Sequence, residues 1–221
     1  MPTTDTKRRL LDAAETLFAE HGFAATSLRH ITAVAKVNLA SVNYHFGSKE
    51  ALLSAVFERR LGAVNQERVR RLDALEAAAK GRRIEVEALL GAFLTPPFEK
   101  MRELGERGLK FMQLLGRTYS ETNDQIRTLS WGQFEGILQR FGAALEKALP
   151  DVPPPEVRRR LHFVVGAMAH TLAWCHKSHH LLLAPLGKPG SDSQAILEDL
   201  IQFTAAGMKA SLPPPPRGAR K

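Results

Sequence analysis

The sequence predicts an all-α fold, and three observations carry that prediction. Apolar residues recur three and four apart through nearly every stretch between the glycines and prolines, the period of a helix with one buried face. No stretch alternates apolar and polar residues as a half-buried strand does. Ser27, Asn38, Ser48 and either Ser191 or Asp192 stand where periodic runs begin, and such side chains accept backbone N–H groups that a first helical turn leaves free. At 221 residues the chain can bury a sizeable core, in one domain or two small ones.

In chain order, Met1–Thr4 is expected to be disordered and a helix to begin at Asp5. Leu10, Leu11, Ala14, Leu17 and Phe18 form its buried face, and Gly22 ends it. Thr26 and Ser27 open a second helix whose buried face is Leu28, Ile31, Val34 and Ala35. A turn at Ala35–Asn38 leads to a helix of about two turns, Leu39 to Phe46, capped by Asn38. Gly47 closes that helix and Ser48 opens a long one to about Lys80, with Leu52, Leu53, Val56, Phe57, Leu61 and Val64 facing inward. A helix over Ile84–Leu94 should stop at Pro96-Pro97, because proline lacks the donor N–H. Phe98–Tyr119 is helical again, loosened by Gly105 and Gly108, and Asp124–Leu149 follows. Glu156–Leu183 and a last helix to about Ser211 complete the chain before PPPPRGARK, a tail that can bury nothing.

The stretch Thr26–Ala51 carries the function. A helix as short as Leu39–Phe46 does not hold alone in water and must be held by neighbours. Val42 and Phe46, four apart, face inward; Asn38, Ala40, Ser41, Asn43 and Tyr44 are left outside. That outward face is small and polar, as suits a helix entering a major groove. Lys49 sits in the first turn of the next helix, where a cation opposes the macrodipole. A nearby DNA phosphate supplies a reason for it.

VNLASVNYHFGSKEAL, residues 37–52, resembles the helix-turn-helix signature of the TetR family of bacterial transcriptional regulators, and Phe18, Gly22, Phe23 and Thr26 to Ile31 extend the likeness upstream. The motif covers about the first quarter of the chain. The family usually has glycine in the turn where Lys36 stands here; if that position is left-handed, lysine costs roughly 1 kcal/mol. The resemblance implies a homodimer with a DNA-binding domain over residues 1–50, a helical effector-binding and dimerisation domain over 51–212, and a disordered basic tail over 213–221. DNA contacts are expected from Thr26, Ser27, Arg29, Lys36, Asn38, Leu39, Ala40, Ser41, Asn43, Tyr44, His45 and Lys49. Family members keep a ligand pocket in the second domain, here assigned to Phe93, Phe98, Met101, Phe111, Met112, Leu115, Tyr119, Trp131, Phe134, Met168, His170 and Trp174. These residues are mostly apolar, which points to a small lipophilic effector. HFVVGAMAH and FTAAGMKA are similar to the fatty-acid-responsive branch, which implies an acyl compound.

Two stripes, Leu161, Val165, Met168, Leu172 and Leu197, Leu200, Ile201, Thr204, Met208, more often mark an internal helix pair, but the family resemblance and the need for two reading arms assign them to the dimer seam. Two copies are expected to read two half-sites about 34 Å apart.

The net charge of +8 suits an acidic partner, although residues 1–60 hold eight Lys/Arg against six Asp/Glu. One cysteine excludes an intrachain disulfide framework. The run Leu161–Trp174 is too short to span a bilayer, no signal peptide is evident, and a soluble cytoplasmic protein is expected. Cys175, His176, His179 and His180 cluster, but their spacing matches no metal-site signature, and histidines suit a helix C-terminus; no metal or cofactor is expected. Paired catalytic carboxylates, a nucleophile motif and a phosphate-cradling loop are missing, so the chain is not expected to be an enzyme. The expected function is a repressor released from a palindromic operator by its effector. The alternatives are a constitutive DNA-binding protein without an effector and a Cys/His metal-dependent protein.

Overall fold

The computed structural model describes residues 2–108, 110–111, 114, 132, 134–174 and 193–212, and among these it is helical with no strand. Helix α1 spans Pro2–His21, α2 Leu28–Ala35, α3 Leu39–His45, α4 Lys49–Ala79 and α5 Val86–Leu104. Helix α6 spans Glu135–Ala148, α7 Pro154–Trp174 and α8 Ser193–Lys209. The parts of the predicted helices that fall at 115–131 and 175–192, and the tail at 213–221, lie outside the described residues.

Local chemistry explains most boundaries. Ser27, Asn38 and Ser48 each take an extended conformation and accept a backbone N–H, from His30, Ala40 and Ala51 respectively. Helix α1 starts at Pro2, earlier than the expected Asp5, and proline at a first helical position gives up only an N–H that has no partner there anyway.

The proline pair does not break α5. Pro96 and Pro97 lie inside it, and the helix continues to Leu104. Pro97 cannot donate to the Phe93 carbonyl four residues back. That carbonyl accepts instead from Nε of Arg68 at 2.8 Å. Arg68 is buried on α4, with its guanidinium 4.2 Å from the Phe93 ring centroid. Its Nη1 donates to Asn65 Oδ1 at 3.0 Å and its Nη2 to Met168 Sδ at 3.4 Å. A donor from a neighbouring helix therefore satisfies what the proline left open.

One continuous apolar core runs from Leu10 to Met208. Helix α1 packs on α2, α3 and the first half of α4; α5 packs on α4, α6 and α8; α7 packs on α6 and α8. Arg59 and Arg60 of α4 both pair with the buried Glu15 of α1, and Arg59 also reaches Asp12 at 2.7 Å. The 31 residues of α4 make a rod of about 46 Å, which carries the first three helices at one end. Arg140 of α6 meets its other half at Asp73, 2.6 Å away.

The two stripes considered for a dimer seam face inward. Leu161, Val165, Met168 and Leu172 are buried, as are Leu197, Leu200, Thr204 and Met208. The outward apolar groups of α7 and α8 are instead Phe163, 63% exposed, and Phe203, 74% exposed.

Candidate nucleic-acid interface

Helices α2 and α3 are joined by a turn whose geometry depends on Lys36. This residue is left-handed, with φ 53° and ψ 49°. Its N–H donates to Ala33 O and the Val37 N–H to Thr32 O, which closes α2. Arg9, 27 residues earlier on α1, donates from Nη2 to the Lys36 carbonyl at 2.8 Å. The turn is thus braced from outside by a residue that sequence spacing gives no reason to choose. Its neighbours are also engaged: Arg8 pairs with Asp5 at 2.5 Å, and Lys7 Nζ lies 6.0 Å from the Phe46 ring centroid.

Helix α3 is held by one fully buried residue, Val42, with Phe46 partly buried against the same core. Asn38, Leu39, Ala40, Asn43 and Tyr44 are exposed, and Ser41 and His45 are half-buried. Tyr44, 79% exposed, meets the His45 ring edge-on at 5.0 Å between centroids. Ser27, Arg29 and Lys36 are exposed around the start of α2 and the turn.

Two surface expectations are corrected. Thr26 is buried, and its hydroxyl donates to the carbonyls of Leu17 at 3.1 Å and Gly22 at 2.8 Å. It fastens the loop after α1 and offers no side chain to a ligand. Val34, expected in the core, is 50% exposed. At 100° per residue it lies about 90° from the centre of the arc through Leu28, Ile31 and Ala35, an angle that would have placed it outside.

Lys49 has a local partner. Its Nζ sits 4.1 Å from the Phe23 ring centroid, an attraction between ammonium and ring face. Burial there holds the ammonium below the usual lysine range, partly offset by Glu50. The cation in a first turn thus has a partner within the protein, the Phe23 ring, and is half-buried.

The expected effector residues behave differently. Phe93, Phe98, Met101, Phe111, Phe134 and Met168 are buried in the core, and Phe93 stacks edge-on with Phe141 at 5.1 Å. His170 is corrected: it is exposed, because α7 turns Met168 and Leu172 inward and His170 to the other side. Met112, Leu115, Tyr119 and Trp131, and the side chain of Trp174, lie outside the described residues. A cleft of about 720 Å³ opens elsewhere, at the far end of α4 between Glu76, Arg82, Arg83, Lys147 and Pro150. None of the expected pocket residues lines it. Among the described residues no group of His, Cys, Asp and Glu is placed to hold a metal, and no helix is long and apolar enough to cross a membrane. Cys175, His176, His179 and His180 lie outside the described residues.

A braced, capped two-turn helix set outward on a three-helix head, with an all-helical body behind it, defines a DNA-binding regulator of the helix-turn-helix class. The chain belongs to the TetR family of such regulators, which is not a family of enzymes. Residues 10–56 match the bacterial regulatory proteins of the tetR family, and residues 91–207, more than half of the chain, match the tetracyclin repressor-like C-terminal domain. Over 60 residues the chain is 48% identical to the HTH-type transcriptional repressor Rv3405c of Mycobacterium tuberculosis, covering 26% of this chain and 32% of that one. Over 50 residues it is 42% identical to the HTH-type transcriptional repressor KstR2 of Rhodococcus jostii, covering 23% and 24%. The chain thus spans a third or less of the length of these curated relatives. The fold is similar to that of the fatty acid degradation regulator FadR from Bacillus halodurans, with a TM-score of 0.62 at 15% identity over 93% of this chain and 97% of that one.

Proposed function

We propose that the protein is a dimeric, sequence-specific repressor that two copies of the head dock on a palindromic operator, and that a small lipophilic effector releases. One observation carries this: α3 turns Ala40, Asn43 and Tyr44 outward while Val42 anchors its back and capping residues hold the helices on either side. Helical side chains so placed reach base edges in a major groove. We take residues 1–50 as the reading head and 51–212 as the effector and dimer body.

Pairing of two copies through the outward sides of α7 and α8 buries Phe163 and Phe203. Gly166 and Gly207, three and four residues further on, leave open space for close approach. The effector reading rests on the apolar character of the body around Phe93, Phe98, Met101, Phe111 and Phe134. An acyl compound is the first candidate, and the fold is shared with a fatty acid degradation regulator. Release then works by moving α4, the rod on which the head is carried.

The test is selection of bound duplexes from a random pool at near-physiological salt. A single enriched palindrome is expected, and acyl compounds are then screened for release of that duplex. Binding without enrichment, lost as salt rises, would instead mark a non-specific DNA-binding protein.

A further inference from the structure

We propose that Leu39, with Ala40 beside it, reads the C5-methyl group of a thymine in each operator half-site. The inference rests on the DNA-binding function proposed above and assigns its specificity at one position.

Leu39 is the first residue of α3 and is 39% exposed. Val42 supplies the buried anchor of this helix, and Leu39 is not part of the buried core. The N-terminal residues of a reading helix are among those that meet base edges. At that end the polar groups are partly used. The Oδ1 of Asn38 accepts the Ala40 N–H at 3.0 Å, which commits that oxygen to the cap and leaves only the amide NH2 of Asn38 for a base. Ser41 is half-buried. What faces outward is an isobutyl group and a methyl group.

The four base pairs differ in what they offer such a surface. Guanine, adenine and cytosine present ring nitrogens, oxygens or amino groups in the major groove, and thymine alone adds a methyl. An isobutyl group pressed on the first kind strips water from a donor or acceptor and returns no hydrogen bond. Pressed on a thymine methyl, it buries apolar area on both sides. The leucine therefore selects thymine twice over, by contact with the methyl and by penalty against the other edges.

The experiment uses the full chain and the duplex of highest affinity from the random pool. Each thymine is replaced in turn by uracil, which keeps the base pair and removes only the methyl. One position per half-site is expected to weaken binding about four-fold, and both together about fifteen-fold, the effect of losing one buried methyl each time. In Leu39→Ala, where only the Ala40 methyl and a Cβ remain, the same replacement is expected to cost less than about two-fold per position, and in Leu39→Met, which keeps a large apolar side chain, the uracil penalty persists. A heat-unfolding midpoint for each variant guards against loss of fold, and the uracil series on the natural chain decides without any variant whether a methyl is read at all. An enriched duplex indifferent to uracil at every position overturns the methyl contact and leaves the operator reading intact. An equal uracil penalty in Leu39→Ala moves the contact to another residue and overturns the assignment. Failure to enrich any duplex overturns both.

Discussion

Arg68 and Pro97 form a functional pair although they are not bonded to each other. Pro97 removes the donor that the Phe93 carbonyl would have had, and Arg68 Nε supplies another at 2.8 Å. The pairing locks α4, the rod behind the reading head, to α5 and, through Met168, to α7. Arg68→Ala is expected to destabilise the protein by about 2–5 kcal/mol, because it opens a cavity and orphans a buried carbonyl. Pro97→Ala returns an N–H to the helix. In that background the penalty for Arg68→Ala should shrink by about 1 kcal/mol. Urea unfolding of the four chains in this cycle checks it; strict additivity would show that the two residues act independently.

Lys36 carries a different strain. A side chain at φ 53° costs roughly 1 kcal/mol relative to glycine. Lys36→Gly should therefore stabilise the protein by up to about 1 kcal/mol, and Lys36→Ala, which keeps a Cβ, should not. Equal gains from both variants would place the cost in the lysine side chain and not in the backbone. The Arg9 brace acts on the carbonyl and survives either change.

The pH response near the middle of α4 has a defined sign. Glu67 accepts from Arg70 and Arg71 at 2.7 Å, and these bonds hold its carboxyl at about 2, below its ordinary 4.5. A carboxyl held low in the folded chain contributes its full stabilisation above pH 4.5 and loses it as pH falls toward 2. The stability difference between the natural chain and Glu67→Gln should be constant from pH 7 to about 5 and shrink below that. Unfolding midpoints taken in steps from pH 7 to pH 3 test this, and a difference that grows on acidification would contradict the assignment.

What could be read from the sequence follows a physical division. The caps at Ser27, Asn38 and Ser48 were legible because each is a bond between a side chain and a backbone two or three residues away. The fully buried Val42 was legible because helical period alone separates it from Asn43 and Tyr44. The continuity of α5 was not, since the rescue of Pro97 comes from Arg68, on another helix. Nor was the inward side of α7 and α8: a leucine stripe fits a dimer seam as well as a core, the expectation of a seam was wrong, and packing on α5 and α6 is what turns the stripes inward. Thr26 misled for a related reason, because a threonine that can open a helix can also be pinned to carbonyls behind it.

The head offers the sharpest separation of roles. Asn43 and Tyr44 are exposed on α3, and Asn43 is the side chain there able to bond an adenine edge bidentately. Asn43→Ala and Tyr44→Ala should each abolish operator binding and leave the oligomeric state in light scattering unchanged. Lys49 differs. Its ammonium lies on the Phe23 ring, and the side chain is half-buried and not fully covered. Lys49→Ala should weaken binding to all duplexes about equally and reduce the salt slope by about 1, with a loss of stability of about 0.5–1 kcal/mol from the ring contact. A fall in stability with an unchanged salt slope would mean that Phe23 is the only partner of Lys49. A change in sequence preference would move Lys49 from the phosphate backbone to the bases.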